Sequence, residues 1–391
     1  MHAEVRMARI GEAIGRYKGG ALSCVEAGEL LGMSERHFRR LRDRHEAEGA
    51  EGLIDRRRGK ASGRRAPVDT IEWVLEQFRT RYFDFTAKHF HEALQAEKPA
   101  FTLSYTWTKS LLQQRGLIGI ARGRSAHRKK RVRKPLPGMM LFQDGSTHEW
   151  LVGQPDLDLI GTLDDATSEI TSLFLVAQEG TASTFQGLTE TIAKRGLFCS
   201  FYTDRGSHYF WTPKAGEEVD KTRLTQVGRA LAELSITHIP SYTPEGRGRM
   251  ERLWGTLQLR LPPVLRLNGL TTVEAANRFL AETYIAEHNA RFAVTATEEG
   301  SAFVPFVGDI PNILCAKHER IVGNDNCVRF EGLSLQIPVQ RHRTHFVKAN
   351  VRVHQYPNSE LALFDGPRRL AEYTADGVLI DREVTTNRTA A

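Results

Sequence analysis

The order of apolar segments after Gly138 constrains the fold of this chain more than any other feature of its sequence. Three successive strands are predicted at residues 139–151, 157–163 and 170–177, because β-branched and large apolar residues dominate these runs and turn-forming residues separate them. An amphipathic helix at 185–195 follows, then a strand at 198–203, a second helix, a fifth strand at 237–240 and a third helix. This order predicts a mixed five-stranded sheet packed with helices.

Three acidic residues occupy distinct places in this arrangement. Asp144 lies inside the first strand, Asp204 directly follows the fourth strand, and Glu251 lies near the start of the last helix. Carboxylates brought together from two strands and a helix form a hard-oxygen site suited to Mg²⁺. Two such ions about 3.5–4 Å apart would hold the attacking and leaving oxygens of an in-line phosphoryl displacement. These three residues are therefore the candidate catalytic residues and metal ligands.

Other acidic residues are alternatives to these three candidate ligands. Asp164 and Asp165 precede Ala-Thr-Ser at the position where a hairpin should turn, so they are interpreted as turn formers. Asp156 and Asp158 are adjacent to another turn and receive the same interpretation. His208 lies near the second candidate ligand, and a structural or solvent-facing role is favoured over contact with DNA or a metal-bound water.

The charge of the chain favours a nucleic-acid partner. The net charge is +7, and the excess is concentrated in two runs, 56–65 and 122–134, the second of which contains no acidic residue. Such runs suit phosphate neutralisation and counterion release. Either run alone is equally compatible with a solvated linker. Because the two runs flank a helical region, together they favour DNA.

Cysteine usage and hydropathy exclude several other classes of protein. The four cysteines are widely separated and form no C-x-x-C pair, so neither a zinc knuckle nor a disulfide framework is indicated. No apolar run approaches the roughly 20 residues that cross a bilayer, and the N-terminus lacks the apolar region of a signal peptide. The expected location is the cytoplasm, with no membrane partner.

Residues 22–45 predict a helix-turn-helix. Gly32 supplies the turn, Ser34 is the expected N-cap of the second helix, and Phe38 and Leu41 share one face of that helix. The opposite face carries Arg36, Arg39, Arg40 and Arg44. A recognition helix needs this division between an apolar underside and a basic face that enters the major groove. The alternative is an αα-hairpin whose arginines serve solubility.

Two further regions flank the predicted sheet. Residues 67–121 are predicted to form a second helical unit, with Ser104 as a cap, and a plain helical bundle is nearly as probable there as a second DNA reader. A helix is predicted at 271–292. Residues 310–384 are then predicted to form short strands, with hairpins at 328–337 and 351–364. A small β-barrel is the natural closure for such strands. Its basic rim would be Arg341, His342, Arg343, His345 and Lys348.

Three motifs carry a resemblance to a known family. They are Gln143-Asp144-Gly145-Ser146, Tyr202-Thr203-Asp204, and Thr243-Pro-Glu-Gly-Arg-Gly-Arg-Met-Glu251-Arg-Leu-Trp-Gly-Thr-Leu-Gln258. The chain resembles the DDE transposases of bacterial insertion sequences, most closely the ISNCY type, and retroviral-type integrases more distantly. The resemblance extends over nearly the whole chain, and the third motif is the most specific. The predicted element order is that of the ribonuclease H-like fold.

The resemblance implies an enzyme that cuts and joins DNA with two Mg²⁺ ions per active site, for which Mn²⁺ is a possible substitute. Asp144 would bridge both ions, while Asp204 and Glu251 would each hold one. A metal-bound water would free a 3′-OH at the element end, and that hydroxyl would attack target DNA. Some relatives carry Lys or Arg two helical turns after the glutamate, where this chain has Gln258. Contact with the DNA end then falls to Arg249, Arg252 or Arg260.

The implied organisation is multidomain. An all-α helix-turn-helix domain at 1–66 precedes the second helical unit at 67–121 and a basic linker at 122–137. A ribonuclease H-like α/β catalytic core at 138–295 and the small β-barrel at 310–384 complete the chain. Beyond the helix-turn-helix residues, the candidate DNA contacts are basic: Arg56, Arg57, Arg58, Arg128, Lys129, Lys130, Arg131, Arg249 and Arg252.

The expected partners are double-stranded DNA, as transposon ends and target, and a second copy of the chain. Pairing two element ends requires at least two active sites, so a homodimer or larger assembly on DNA is predicted, in a bacterial cytoplasm and associated with the nucleoid. The alternative function is a catalytically silent repressor derived from a transposase. A structure-specific ribonuclease H-like nuclease is disfavoured, because such enzymes read duplex shape more than sequence and need no helix-turn-helix.

Overall fold

The computed structural model describes residues 2–54, 65–120, 131–212, 218–220 and 222–380. Two compact units are present, Met1–Val74 and Leu75–Ala391, and the division falls within one helix, Val68–Thr80. Arg56, Arg57, Arg58, Arg128, Lys129 and Lys130 lie outside the described residues. The predicted five-part domain organisation stays a prediction.

The N-terminal unit contains three helices, α1 (His2–Lys18), α2 (Cys24–Leu30) and α3 (Glu35–Glu48), followed by a 3₁₀ turn at Gly49–Leu53. The predicted cap is present, because Ser34 Oγ accepts the backbone N–H of His37 at 3.4 Å. A Cβ on Gly28 would lie 2.9 Å from the carbonyl oxygen of Met33, so the small residue permits the close approach of α2 to the start of α3. The helix pair was predicted, whereas α1 was not.

The core of this unit explains why α1 is needed. Phe38 and Leu41 of α3 are buried, as predicted from their spacing, and they pack in one apolar cluster with Ala27 of α2. Ile10 and Ile14 of α1 complete that cluster. A two-helix hairpin has too little apolar surface to form a core alone, so the third helix supplies it.

The larger unit begins with helices that resemble a small bundle. They are α4 (Val68–Thr80), whose second half lies here, α5 (Ala87–Glu97) and α6 (Tyr105–Gln114). Ser104 caps α6 as predicted, since its Oγ accepts the N–H of Trp107 at 3.2 Å. Leu111 and Leu112 of α6 are buried, whereas Trp107 is only partly buried.

The central sheet has five strands in the order β3-β2-β1-β4-β5. The strands are β1 (Leu141–His148), β2 (Leu157–Asp164), β3 (Ile170–Val176), β4 (Ser200–Thr203) and β5 (Thr237–Pro240). Strands β1 to β3 form an antiparallel meander, whereas β4 is parallel to both β1 and β5. This is the mixed five-stranded sheet predicted from the sequence, with β1 at its centre.

Helices cover both faces of the sheet. Helices α7 (Thr181–Arg195) and α8 (Gln226–Glu233) pack on the face that receives Leu141. Helix α9 (Pro244–Leu267) packs on the opposite face, which receives Phe142, together with α10 (Val273–Phe279), a π-helical turn (Leu280–Tyr284) and α11 (Ile285–Phe292). Neighbouring residues of β1 therefore enter different cores, as the alternation of side chains along a strand requires.

The C-terminal strands form two separate sheets in the described residues. After the short helix α12 (Ile310–Ile313), a four-stranded sheet in the order β11-β10-β9-β6 accompanies a hairpin of β7 and β8. The strands are β6 (Ala316–Ile321), β7 (Cys327–Phe330), β8 (Leu333–Gln336), β9 (Asn350–Gln355), β10 (Leu361–Asp365) and β11 (Arg368–Tyr373). Both predicted hairpins are present.

The predicted barrel is not confirmed. No strand pairing among the described residues closes the four-stranded sheet, and the β7–β8 hairpin joins it through a shared apolar cluster that contains Val328, Leu335 and Val353. The predicted basic residues Arg341, His342, Arg343, His345 and Lys348 are exposed between β8 and β9. Within the described segments, the search for a helix both long and apolar enough to cross a membrane found none.

Candidate active site

Asp144 is a nearly buried carboxylate at the centre of the sheet. It lies on the central strand β1 and is 8% exposed. Its Oδ1 accepts a hydrogen bond from Arg247 Nη2 at 2.6 Å, and its Oδ2 accepts one from Trp254 Nε1 at 3.0 Å. Burial raises the pKa of Asp144, and the bonds from Arg247 and Trp254 oppose that effect. This carboxylate is therefore held in one orientation and needs a nearby positive charge.

The indole of Trp254 reaches Asp144 because β2 has a glycine at the matching position. Gly161 is the register partner of Asp144 across the β1–β2 pair. A Cβ on Gly161 would lie 2.8 Å from the ring of Trp254, so only glycine leaves room for the indole. Arg247 and Trp254 are two turns apart on α9, which places both side chains on the same face of the helix.

Asp204 lies beside Asp144 at the end of the neighbouring parallel strand. The β1–β4 register pairs Leu141 with Phe201 and Phe142 with Tyr202. Continued by two residues, this register brings Asp204 level with Asp144. The carboxylate is oriented by the backbone N–H of Gly206, which donates to Asp204 Oδ1 at 2.8 Å.

Glu251 lies on α9, one turn after Arg247, and is exposed. The guanidinium of Arg247 interacts with all three predicted ligands. Burial lowers the pKa of Arg247, whereas the charges of Asp144, Asp204 and Glu251 raise it. The net shift of the pKa is upward. One cation therefore lies in the field of three carboxylates. In the segments that the structure describes, no group of three or more His, Cys, Asp or Glu side chains is arranged to hold a metal ion.

The donor set nevertheless suits a hard divalent cation. All three side chains offer carboxylate oxygens, the ligands that Mg²⁺ prefers. The ion pair between Arg247 and Asp144 shows that positive charge is stabilised at this point of the sheet. A metal ion at Asp144 would take over the role that the guanidinium has here.

A fourth carboxylate near the site was missed by the sequence analysis. Glu179 precedes α7, and a Cβ on Gly145 would lie 2.5 Å from its Oε2. Its Oε1 lies 3.3 Å from Tyr209 Oη and 3.6 Å from His208 Nε2. Glu179 also contributes to the raised pKa of Asp144. No spacing in the sequence relates Glu179 to β1, because the loop before α7 is held beside β2 by the Glu179 N–H, which donates to Asp158 Oδ2 at 2.7 Å.

Tyr209 connects this group to the central strand. Its hydroxyl also lies 3.1 Å from Gln143 Oε1, and burial, followed by the charge of Glu179, raises its pKa well above the usual value. The phenol is therefore neutral. His208, which neighbours it, faces Glu179, and the structural or solvent-facing role favoured from the sequence stays a prediction.

Asp165 forms a buried ion-pair centre next to the site. It is fully buried, and it accepts hydrogen bonds from Arg131, from Arg249 Nη1 at 2.5 Å and from the backbone N–H of Lys134 at 2.7 Å. Burial lowers the pKa of Arg249 to about 10. Asp165 thus does more than form the predicted turn. The guanidinium groups of Arg131 and Arg249 point at this carboxylate, so their predicted contact with DNA stays a prediction.

The remaining predicted contacts on α9 have different surroundings. Arg252 is exposed. Arg260 donates to Glu92 Oε2 at 2.8 Å. Gln258, at the position where some relatives carry a basic residue, donates to Ser146 Oγ at 3.1 Å. Gln258 therefore supports β1 two residues after Asp144.

The recognition-helix candidates lie on α3 in the N-terminal unit. Arg36, Arg39 and Arg40 are exposed, as predicted, and Arg39 is paired with Glu35. Arg44 differs from its prediction, because its side chain is half-buried and its Nε is enclosed with no hydrogen-bond partner among the described residues. Residues 49–53 turn back onto α3 after Glu48, and this 3₁₀ turn covers the helix end. Ser34 contributes the N-cap of α3, as described above.

Known proteins resemble this chain over most of its length. The family model of a helix-turn-helix domain matches residues 11–61. A putative transposase, y4bF, of Sinorhizobium fredii is 28% identical over 90% of this chain and 77% of its own length. The transposase for insertion sequence IS1202 of Streptococcus pneumoniae is 25% identical over 83% of this chain and 76% of its own length.

A solved structure with partial similarity is the HTLV-2 integrase catalytic core domain in complex with magnesium, in its dimeric form. It is 17% identical, with a TM-score of 0.28, over 37% of this chain and 83% of that one. The resemblance seen in the three sequence motifs is confirmed by the two sequence relatives: over most of its length this chain is similar to bacterial transposases, and its N-terminal part matches a helix-turn-helix domain.

Proposed function

We propose that this chain is a DNA transposase that binds the terminal inverted repeats of its element and performs metal-dependent strand cleavage and strand transfer. The observation that carries the proposal is the position of Arg247. Its guanidinium is paired with Asp144 and lies in the field of Asp204 and Glu251, the three acids expected to be ligands. The similarity to two transposases over most of the chain supports the same conclusion.

Two Mg²⁺ ions would be held by Asp144, Asp204 and Glu251, with Mn²⁺ as a substitute. When bound, they would supply Lewis-acid activation of the attacking and leaving oxygens of a phosphodiester. The protein's own contribution is orientation. Trp254 fixes one oxygen of Asp144, and the N–H of Gly206 fixes one oxygen of Asp204. Both ligands are thus positioned before DNA arrives, which reduces the reorganisation that the reaction requires.

Recognition of the element ends is assigned to α3. Its exposed face carries Arg36, Arg39 and Arg40, and its buried face holds it against α1 and α2. An exposed basic helix of this kind suits the major groove. Joining two ends requires two active sites, so the proposed assembly is a homodimer or larger on double-stranded DNA.

The test is a cleavage assay with the purified chain and labelled DNA that carries the flanking inverted repeats, in Mg²⁺ or in EDTA. Mg²⁺-dependent nicking at the repeat boundary, with a free 3′-OH, is expected. Asp144→Asn should abolish nicking and leave binding to the ends intact. The exposed Asp156 provides a matched control, because Asp156→Asn should cut like the wild type. Specific binding without cutting in the wild type would instead favour the silent repressor.

A further inference from the structure

A cavity separate from the candidate active site lies between α5, α9 and α11. Its volume is about 550 Å³, and three alanines, Ala93, Ala96 and Ala290, contribute to its lining and leave room for a ligand. The charged lining residues are Glu92 of α5, Arg260 of α9, and Glu287 and Arg291 of α11, and His89 and His288 are among the polar ones. None of the three candidate metal ligands lines it.

Three cations, Arg260, Arg291 and the neighbouring Lys88, stand against two lining carboxylates, Glu92 and Glu287. Glu92 Oε2 accepts from Arg260 Nη1 at 2.8 Å and from Arg291 Nη1 at 2.7 Å. Lys88 Nζ lies 3.7 Å from the Oε1 of the same carboxylate, so three cations face Glu92. Within the described residues, each guanidinium uses a single nitrogen in these bonds, and a guanidinium has five N–H donors. The unused donors are available to an anion.

Two histidines next to these arginines have unmet hydrogen-bonding capacity. His89 is 9% exposed and His288 is 5% exposed, and the Nδ1 of each is enclosed with no partner among the described residues. Burial, and then the charge of Arg260, lowers the pKa of each ring to about 4. Both rings are therefore neutral near pH 7. Buried polar groups without partners are rare in proteins and often mark a missing water or ion.

We propose that this cavity is a phosphate-binding site that receives a backbone phosphate of DNA, away from the phosphodiester that is cut. Guanidinium groups bind phosphate oxygens through paired N–H donors, which makes arginine a preferred residue for phosphate recognition. A metal ion is disfavoured there because it would have to displace the two guanidiniums from Glu92. This assignment rests on the proposed transposase function for the source of the phosphate, but not for the site itself.

The proposed function makes DNA the phosphate source to test, and α9 relates the cavity to the candidate active site. Arg260 and Glu251 lie on the same helix, nine residues apart. At a rise of about 1.5 Å per residue, their backbones are separated by roughly 13 Å along the helix axis. Phosphates of one DNA strand advance about 3.4 Å per nucleotide along the duplex axis. Nine residues are also about two and a half turns, so the two side chains leave α9 on opposite sides, and a duplex at Glu251 reaches the cavity only by following the helix around.

The first experiment uses the full chain and inorganic phosphate, with chloride at matched ionic strength as the reference. Phosphate should raise the melting temperature of the wild type more than chloride does. Arg291→Gln, at a half-exposed position, should weaken phosphate binding roughly tenfold or more, because it removes one charge-assisted contact. Arg278→Gln, on the exposed face of α10, is the matched control and should behave like the wild type.

A second variant separates binding from structural support. Glu92→Gln removes the anion that competes with phosphate for both arginines and keeps the size of the side chain. It should tighten phosphate binding severalfold, even if the variant melts at a lower temperature without phosphate. If Glu92→Gln weakens phosphate binding, or if phosphate has no effect beyond chloride on the wild type, the site does not exist.

The DNA source is tested by the salt dependence of DNA binding. Loss of one phosphate contact lowers the slope of log K against log salt by about 0.9. Arg291→Gln should show this loss equally on element ends and random duplexes, while Arg278→Gln should not. An unchanged slope, with phosphate binding lost, would overturn DNA as the source and leave a site for free phosphate. Because the phosphate assay needs no DNA, failure of the transposase proposal would not be confused with failure of the cavity.

Discussion

At the scale of single residues, the candidate site is organised by what surrounds Asp144. Its carboxylate is buried, so its charge requires compensation, and the structure supplies a guanidinium on one oxygen and an indole N–H on the other. The two partners have different roles. Arg247 provides charge, which a metal ion would replace under the proposed function, whereas Trp254 provides a fixed direction.

Trp254→Phe tests that distinction. The phenyl ring keeps much of the packing but removes the donor to Asp144, so unfolding in urea should show a loss of about 1.5–3 kcal/mol. Cleavage should slow as well, because one oxygen of Asp144 is no longer oriented. Trp107→Phe on α6 is a control for loss of an indole outside the site, and it should cut normally. Cleavage at the wild-type rate in Trp254→Phe would show that the indole does not orient the ligand.

At the scale of elements, the packing of α9 on the sheet positions one part of the candidate site. The α9 face that carries Met250, Trp254 and Leu257 is buried in the same core as Phe142 and Leu159. At Gly161 the indole of Trp254 lies against β2. The position of α9 in turn sets the position of Arg247 and Glu251.

Gly161→Ala should displace α9 from β2. The added Cβ would lie 2.8 Å from the Trp254 ring, so overpacking should cost about 1–3 kcal/mol in a denaturant titration. Cleavage should fall together with stability. Gly255→Ala, one residue beyond Trp254, meets nothing within 4 Å and should stabilise the helix by about 0.5–1 kcal/mol. Equal stability of the two variants would contradict the assigned contact.

Helix α3 gives a separate prediction at this scale. Arg40 is exposed on the face opposite Phe38 and Leu41. Arg40→Ala should weaken binding to the element ends by roughly 1–3 kcal/mol if the side chain reads a base edge. Competition with random duplex in the same titration distinguishes the alternatives. An equal loss on both DNAs would assign Arg40 to a phosphate instead.

At the scale of the whole molecule, the larger unit depends on polar contacts that join distant parts of the chain. Arg266 of α9 binds both oxygens of Asp84 at 2.7 Å, so α9 connects the helices before the sheet with the face that carries the candidate site. Asp165 pairs with Arg131, which precedes β1 in the chain, and with Arg249, which follows β5. Removing one partner of such a buried pair leaves an uncompensated charge, which costs more than the pair contributes.

Buried histidines predict how this unit responds to acid. Burial is the first cause that lowers the pKa of His89, His288 and His354 to about 4, against an ordinary value near 6.5. The folded state therefore binds fewer protons than the unfolded state between these values, and stability is full above about pH 6.5. It should fall as the pH decreases towards 4, by up to roughly 3 kcal/mol for each ring.

The measurement is urea unfolding between pH 7.5 and 4.5, in the wild type and in His354→Phe. The aromatic replacement keeps the stacking on Phe364 and removes the titrating group, so the variant should lose less stability on acidification. His345→Phe, at an exposed position, should retain the wild-type dependence. A variant at position 354 with an unchanged pH profile would remove this histidine from the explanation.

Much of the fold follows from local sequence patterns. The β5 strand was predicted at its observed bounds, and β2 and β3 to within a residue, because apolar alternation and turn residues act over short distances. Ser34 and Ser104 were recognised as caps for the same reason, since a cap satisfies N–H groups within the next turn. Helix α1 was missed because its few apolar residues have meaning only once Phe38 provides a partner.

The three acids were likewise readable from the sequence, because each has its place in or beside a predicted strand or helix. That β1 and β4, and with them Asp144 and Asp204, are neighbours is shown by the strand order of the sheet. The partners of those acids were not readable from the sequence. These contacts join residues that are distant in sequence: Arg247 with Asp144, Gly161 with Trp254, Glu179 with Gly145, and Arg249 with Asp165. Such contacts depend on how helices pack across a sheet, and packing is decided by the whole set of buried side chains at once. Local patterns therefore determined the elements and the candidate ligands, and tertiary structure alone decided what holds them.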